Sequence, residues 1–274
     1  MKFTKMHGAG NDFIVIEDMF ELYLNKESVM AKKLCHRHFS IGADGVLFVR
    51  KSNIADIQMV IINADGSYAT MCGNGIRCFA KYVYESKLIN KEIIEIETGD
   101  GIKKAYLKVI EGKVHSITIN MGSFSFNPKD IPVNSSEEII NKKICIDHKE
   151  YKITSVFMGV PHTVVFGRLD DFNILEGSFI ENYSMFPEGT NVNFCEIVDE
   201  DKIKVKTFER GAGETLACGT GSCATVVIAN RLGFIRSNVK VKVPGGTLYV
   251  EVVKKQVFMT GSADIIFTGE IDYK

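Results

Sequence analysis

Two stretches of the 274-residue chain repeat one another: Met71-Cys72-Gly73-Asn74-Gly75 and Ala217-Cys218-Gly219-Thr220-Gly221. Each reads Cys-Gly-x-Gly, and each opens an apolar segment with helical character, Ile76 to Tyr84 and Ala224 to Ala229. The likeness extends outward. Asn63 stands nine residues before Cys72 and Glu209 nine before Cys218, and glycine turns follow at Gly101 and Gly246, 29 and 28 residues on. A chain that writes one unit twice is constrained to fold as two related halves, each placing a thiol at a helix start. The pairing predicts one active site between the halves, with a sulfur on each face of a bound carbon. Such a site can remove a proton from one side and return one on the other.

A helix start is a chemically useful place for a cysteine. The first backbone N–H groups have no intrahelical partner, and the macrodipole puts partial positive charge there. A carboxylate can bind those groups, with Gly73, Gly75, Gly219 and Gly221 allowing close backbone approach. The same field favours thiolate, the form able to act as a base. An amino acid held by its carboxylate between two such ends would present its α-carbon to both sulfurs, and the N–H groups would stabilise charge building on the carboxylate as the proton leaves.

Strand patterns dominate the rest. Phe13 to Ile16, Gly45 to Val49 and Ile57 to Ile62 are short, β-branched runs bounded by turn residues. Glu27 to Phe39 has the spacing of an amphipathic helix, with Met30 and Leu34 on one face. Ile76, Phe79, Ala80 and Val83 follow Cys72 at i, i+3, i+4, i+7, predicting a helix with a broad buried face. The segment after Cys218 is apolar nearly all round and predicts an enclosed helix. Strands resume over 93–119 and 239–267. The expectation is a mixed α/β (α+β) chain that threads a helix through a curled sheet twice, with Pro128 to Glu138 as the connector. The expected halves are 1–120, carrying Cys72 and joined by a returning strand at about 264–274, and 121–263, carrying Cys218.

Composition excludes other classes. Lys+Arg 33 against Asp+Glu 34 leaves a net charge of -1 and no basic stripe for nucleic acid. Charged residues interrupt every apolar run short of a membrane span, and Met1-Lys2-Phe3-Thr4-Lys5-Met6-His7 has no apolar signal region. Seven cysteines without a secretory signal imply reduced thiols and a cytoplasmic protein. A free cysteine is most often a small buried hydrophobe, the expectation for Cys35, Cys78, Cys145, Cys195 and Cys223. Cys72 and Cys218 differ by their duplicated glycine context. The spacings Cys72 to Cys78 and Cys218 to Cys223 are not those of structural zinc, so no metal site is expected. His36 and His38 flank Arg37 as a solvated feature. His162, in Met158-Gly159-Val160-Pro161-His162, sits where a turn meets the strand Thr163 to Phe166.

Five blocks together resemble the diaminopimelate epimerase family over essentially the whole chain. They are His7-Gly8-Ala9-Gly10-Asn11-Asp12-Phe13, Asn63-Ala64-Asp65-Gly66-Ser67, Met71 to Cys78, Gly189-Thr190-Asn191-Val192-Asn193-Phe194 and Glu209-Arg210-Gly211 to Gly221. The resemblance implies two pseudo-symmetric domains, each a barrel-like, mostly antiparallel sheet around a central helix, with the site in the cleft. It also implies a homodimer and a cofactor-independent interconversion of LL- and meso-diaminopimelate in lysine and cell-wall synthesis. Cys72 and Cys218 match the acid/base thiols. Gly73, Asn74, Gly219 and Thr220 match the positions that hold the reacting carboxylate. Asn11, Asn63, Asn191, Glu209 and Arg210 match substrate-binding positions, and Glu209 and His162 resemble the residues that assist the thiols. Arg210 with two asparagines suits a second carboxylate, which a guanidinium fork pairs bidentately.

The chain departs from the family at Val160, where asparagine is frequent, and at Gly45, where some members place glutamine. Racemases or epimerases of other amino acids, such as lanthionine, histidine or proline, are therefore alternative readings. Arg210, Asn63 and Asn191 favour a dicarboxylate over histidine or proline. A noncatalytic amino-acid-binding or thiol-sensing protein is the reading from another class.

Overall fold

The computed structural model describes residues 1–273. By internal contacts the chain divides into two compact units, one of Met1–Asn120 with the chain from Thr260 onward, the other of Met121–Met259. Lys274, the last residue of the expected returning strand, lies outside the described residues.

The first unit runs β1 (Lys2–Gly8), β2 (Asn11–Glu17), α1 (Glu27–Leu34), β3 (Gly45–Arg50), β4 (Ile57–Asn63), β5 (Tyr68–Ala69), α2 (Gly73–Glu85), β6 (Ile93–Thr98), β7 (Gly101–Ile110) and β8 (Lys113–Ser123). The second runs β9 (Lys142–Ile146), β10 (Lys149–Met158), β11 (Val160–Phe166), α3 (Gly177–Glu181), β12 (Asn191–Asp199), β13 (Lys202–Glu209), β14 (Gly213–Thr215), α4 (Gly219–Arg231), β15 (Asn238–Val243), β16 (Gly246–Val253) and β17 (Gln256–Gly261). The last strand, β18 (Asp264–Glu270), pairs antiparallel with β1.

The two units share one strand plan. In the first, β1–β2 is antiparallel, β2–β3 parallel, β3–β4 and β4–β5 antiparallel, β4–β6 parallel and β6–β7 antiparallel. In the second the same sequence of pairings runs through β10–β11, β11–β12, β12–β13, β13–β14, β13–β15 and β15–β16. Strands far apart in that order, β1 and β7, both pack on α2, and β10 and β16 both pack on α4. Each sheet therefore curls around its helix. The burial pattern follows: Ile76, Phe79, Ala80 and Val83 are buried on α2, and α4 is buried continuously from Gly221 to Ala229.

Two expectations are corrected. The helix after Glu27 ends at Leu34, and Cys35 caps it; beyond that point the backbone turns, with the Gly42 N–H bonding back to Leu34 O. Cys145 is exposed, because β9 alternates and Ile144 takes the inward position. Cys35, Cys78, Cys195 and Cys223 are buried as expected. Both central helices begin at the glycine after the cysteine, ahead of their apolar runs, so each thiol stands at a helix start as expected. The 128–138 segment is a run of turns between β8 and β9, within the second unit.

Candidate active site

In the first unit the thiol is built into the helix cap. Cys72 is the N-cap of α2 in extended conformation, φ −143° and ψ 117°, and its Sγ accepts the Gly75 N–H at 3.4 Å. The helical ladder starts with Ile76 N–H to Cys72 O at 2.9 Å. The Gly73 and Asn74 amides precede that ladder, which gives this end the donors an anion needs. The N–H···S bond and the dipole both favour negative charge on the sulfur.

Asn11 faces this cap. Its Oδ1 lies 3.5 Å from Cys72 Sγ and 3.5 Å from Asn74 Nδ2, accepting from both. The amide is oriented by Asp44: a carboxylate only accepts, so Asn11 directs Nδ2 to Asp44 Oδ2 at 2.7 Å and Oδ1 to the thiol. Arg37 anchors Asp44 at 2.8 Å and grips Asp12 with two bonds, at 2.7 and 3.2 Å. Burial alone would raise the Asp12 carboxyl, but hydrogen bonds from Arg37 and Lys5 bring it down to about 2. Arg37 is thus tied to the Asn11 strand rather than freely solvated. Beneath the cap, the fully buried Arg77 donates to Gly73 O at 2.9 Å, Asn74 Oδ1 at 3.0 Å and Ser262 O at 3.2 Å, fixing the first turn.

Asn63, at the end of β4, is exposed and donates to Ser67 Oγ at 2.9 Å. It stands opposite Gly45 in the β3–β4 register. A Cβ on Gly45 would come within 2.8 Å of the backbone Ile62 O, so this backbone has no room for a longer residue there.

The second unit repeats the cap with different partners. Cys218 is the N-cap of α4, φ −109° and ψ 115°, and its Sγ accepts the Gly221 N–H at 3.3 Å. Ser222 N–H to Cys218 O, 2.9 Å, starts the ladder, and the Gly219 and Thr220 amides precede it. Thr220 Oγ1 lies 3.5 Å from the sulfur. Glu209 hydrogen-bonds Cys218 and accepts from Thr215 Oγ1 at 2.6 Å; burial raises its carboxyl above the ordinary range, against the lowering effect of those two bonds. A buried carboxyl raised above its ordinary range beside a thiol marks a candidate functional group.

Asn191 is buried and occupied: its Oδ1 accepts the Arg210 N–H at 3.0 Å and its Nδ2 donates to Pro161 O at 2.9 Å. It therefore shapes the turn that presents Arg210, whose exposed guanidinium donates to Glu188 O at 2.7 Å. His162, beside Asn191 in the parallel β11–β12 register, is fully buried. Burial, with the nearby Arg210 cation, pushes it down to about 3, so its ring is neutral. Three further thiols are held inert by burial: Cys35 and Cys78 are each pushed up to about 12, and Cys195 is also raised.

The fold thus brings Cys72, Asn11, Asn74 and Gly73 together in one unit. In the other it brings together Cys218, Glu209, Gly219 and Thr220, with Asn191 and Arg210 sharing a turn. Asn63 is bonded to Ser67. Asp44, Arg77 and Asn193 were given no role from sequence, and Arg37 was read only as part of a solvated feature. Arg77 carried a signal, an arginine inside a buried helical stripe, and Asn193 carried another, two residues from Asn191 on the same strand face. Arg37 and Asp44 carried none. Among the described residues no group of three His, Cys, Asp or Glu side chains is placed to hold a metal ion, and no helix is long and apolar enough to cross a membrane.

This two-unit α/β fold is shared with a solved hydroxyproline epimerase from Agrobacterium vitis, at a TM-score of 0.73 over 99% of this chain and 90% of that one, with 16% identity. The sequence model for diaminopimelate epimerase matches residues 3–127 and 154–266. A diaminopimelate epimerase of Clostridium perfringens is 55% identical over 98% of both chains, and one of Alkaliphilus metalliredigens is 48% identical over 98% of this chain and 96% of its own. The chain belongs to the diaminopimelate epimerase family, and with it to the isomerases.

Proposed function

We propose that the protein interconverts LL- and meso-diaminopimelate without a cofactor, with Cys72 and Cys218 as the paired acid and base. The observation that carries the reading is the matched caps: each sulfur accepts the third amide of its own central helix, with two further amides ahead of the ladder. Those amides, at Gly73, Asn74, Gly219 and Thr220, hold the reacting carboxylate and stabilise the charge that grows on it. One thiolate takes the α-proton, its electron pair remaining on the carbon and carboxylate; the opposite thiol delivers its proton to the other face. Both proton transfers are then supplied by side chains, and neither requires a metal or pyridoxal phosphate. Glu209 exchanges protons with Cys218, and His162 assists. Asn11, Asn63 and Asn191 contribute to substrate binding, and the exposed Arg210 pairs the distal carboxylate. The identity to diaminopimelate epimerases over the full chain supports this substrate. A role in lysine and peptidoglycan precursor synthesis, a cytoplasmic location and a homodimeric state belong to the same reading.

Incubation with LL-diaminopimelate followed by chiral chromatography tests the proposal. In D2O, product formed by inversion should carry deuterium from the first turnover while unreacted substrate stays largely protiated, because the delivering thiol has exchanged with water. No epimerisation of diaminopimelate would defeat it. Lanthionine, with sulfur in place of a methylene, is the second substrate to assay, since Val160 and Gly45 remove two polar side chains that some relatives place at those positions.

A further inference from the structure

His162 is fully buried, and its Nε2 is one of two buried side-chain polar atoms among the described residues with no hydrogen-bond partner in the protein. Its other nitrogen is engaged: Nδ1 lies 3.2 Å from Asn193 Nδ2. The direction of that bond depends on which way the Asn193 amide points, and two neighbours fix it. The same Nδ2 donates to the Thr163 carbonyl at 3.3 Å, which can only accept. Asn193 Oδ1 accepts from Thr207 Oγ1 at 2.9 Å. Nδ2 therefore carries the protons, Nδ1 of His162 accepts one, and a neutral ring must carry its own proton on Nε2.

We propose that Asn193 holds His162 as the neutral Nε2–H tautomer, so that His162 serves the reaction as a hydrogen-bond donor to an anion and not as a base that collects a proton. The inference rests on the functional reading above and specifies the chemistry of one of its residues. The site is built for it. Asn193 is itself fully buried, between His162 and the first turn of α4, where a Cβ on Gly221 would fall on Asn193 Oδ1. The charged group acting on the ring is Arg210, which disfavours a second proton. An unpartnered buried N–H costs free energy unless an acceptor arrives, so the donor is held ready for a carboxylate or thiolate. Asn193 is a positioning residue: it acts through the imidazole.

Nitrogen-15 spectra of histidine-labelled protein read the tautomer directly. The chain has six histidines, and the His162 signals are those missing in His162→Gln. The expected result is protonated Nε2 and bare Nδ1 from about pH 5.5 to 8. A protonated Nδ1 or an imidazolium in that range overturns the proposal, and this measurement needs neither a variant's activity nor the identity of the substrate. Asn193→Asp replaces the donor by an acceptor and should move a proton to Nδ1; an unchanged tautomer there would show that Asn193 does not set it. In turnover, His162→Gln retains an N–H donor but cannot take up a proton, and should stay within roughly tenfold of the parent, whereas His162→Leu should fall by about a hundredfold or more. Equal losses would overturn the donor role. If the parent does not epimerise diaminopimelate, the functional reading fails and the tautomer spectrum still decides the inference.

Discussion

The two halves cap their helices identically and then surround the sulfurs differently. In the first, Cys72 gives its S–H to a neutral amide, Asn11, whose orientation is held by Asp44 and Arg37. In the second, Cys218 is bonded to Glu209, an acid raised by burial. The strand registers set out the correspondence. Phe13 and His162 occupy the same place, each beside the next strand's start, at Gly45 in one half and Asn191 in the other. Two residues before them stand Asn11 and Val160. A duplicated scaffold thus preserves the backbone that caps each helix with a thiol, while the side chains around it diverge to set a neutral amide beside one sulfur and a carboxyl raised by burial beside the other.

The sharpest way to break this comparison is to remove each sulfur in turn. Cys72→Ala and Cys218→Ala should each cut inversion by roughly a hundredfold to ten-thousandfold, the range for positioned acid–base groups. Chiral chromatography checks this, with Cys145→Ala as the exposed control left near the parent rate. If either cap variant inverts substrate at close to the parent rate, the matched caps do not share the chemistry.

A second test separates the caps by packing. An alanine Cβ at Gly221 would fall on Asn193 Oδ1 and lie 3.2 Å from Cys218 Sγ, while at Gly75 its nearest neighbours stand at 3.4 Å. Gly221→Ala should cost about 2 kcal/mol, in the range for overpacking a core. Gly75→Ala should fall within about 1 kcal/mol of the parent or gain slightly, since alanine is the better helix former. Urea denaturation of the two variants measures the difference, and equal midpoints would remove the asymmetry.

Glu209 provides a pH-dependent contrast with Asn11. Because its folded carboxyl is raised, the native state holds its proton more tightly than the unfolded chain. Stability therefore declines as pH rises from its ordinary value of 4.5 through the raised one. Glu209→Gln should be more stable than the parent at neutral pH, with the gain vanishing below about pH 4, while losing activity by about tenfold or more. Thermal melts across pH check the sign; a variant less stable at pH 7 would refute it. The smallest effect is expected at Arg37→Ala. An exposed ion pair contributes only about 0–1 kcal/mol, so stability should barely move. Release of Asp44 frees the Asn11 amide to rotate, and a few-fold rise in KM is expected; the assay of the first test measures it.

The sequence alone determined the duplication, the helix starts and the cysteines that cap them, because each depends on residues within one turn: a cap, a glycine and a 3.6-residue apolar period. It also exposed Asn63 and Glu209, through a constant nine-residue offset. What it could not determine was the company each sulfur keeps. Asn11 lies 61 residues from Cys72 in the chain, Arg37 reaches Asp12 across 25, and Asn193 reaches His162 across 31. Hydrogen bonds at that separation leave no local period, and an amide's orientation depends on neighbours that only the folded sheet assembles. Cys145 shows the same limit: its composition reads as core, and a single step of strand register turns it to solvent. Local spacing set where the thiols stand, and tertiary register decided that one faces a dipole and the other an acid.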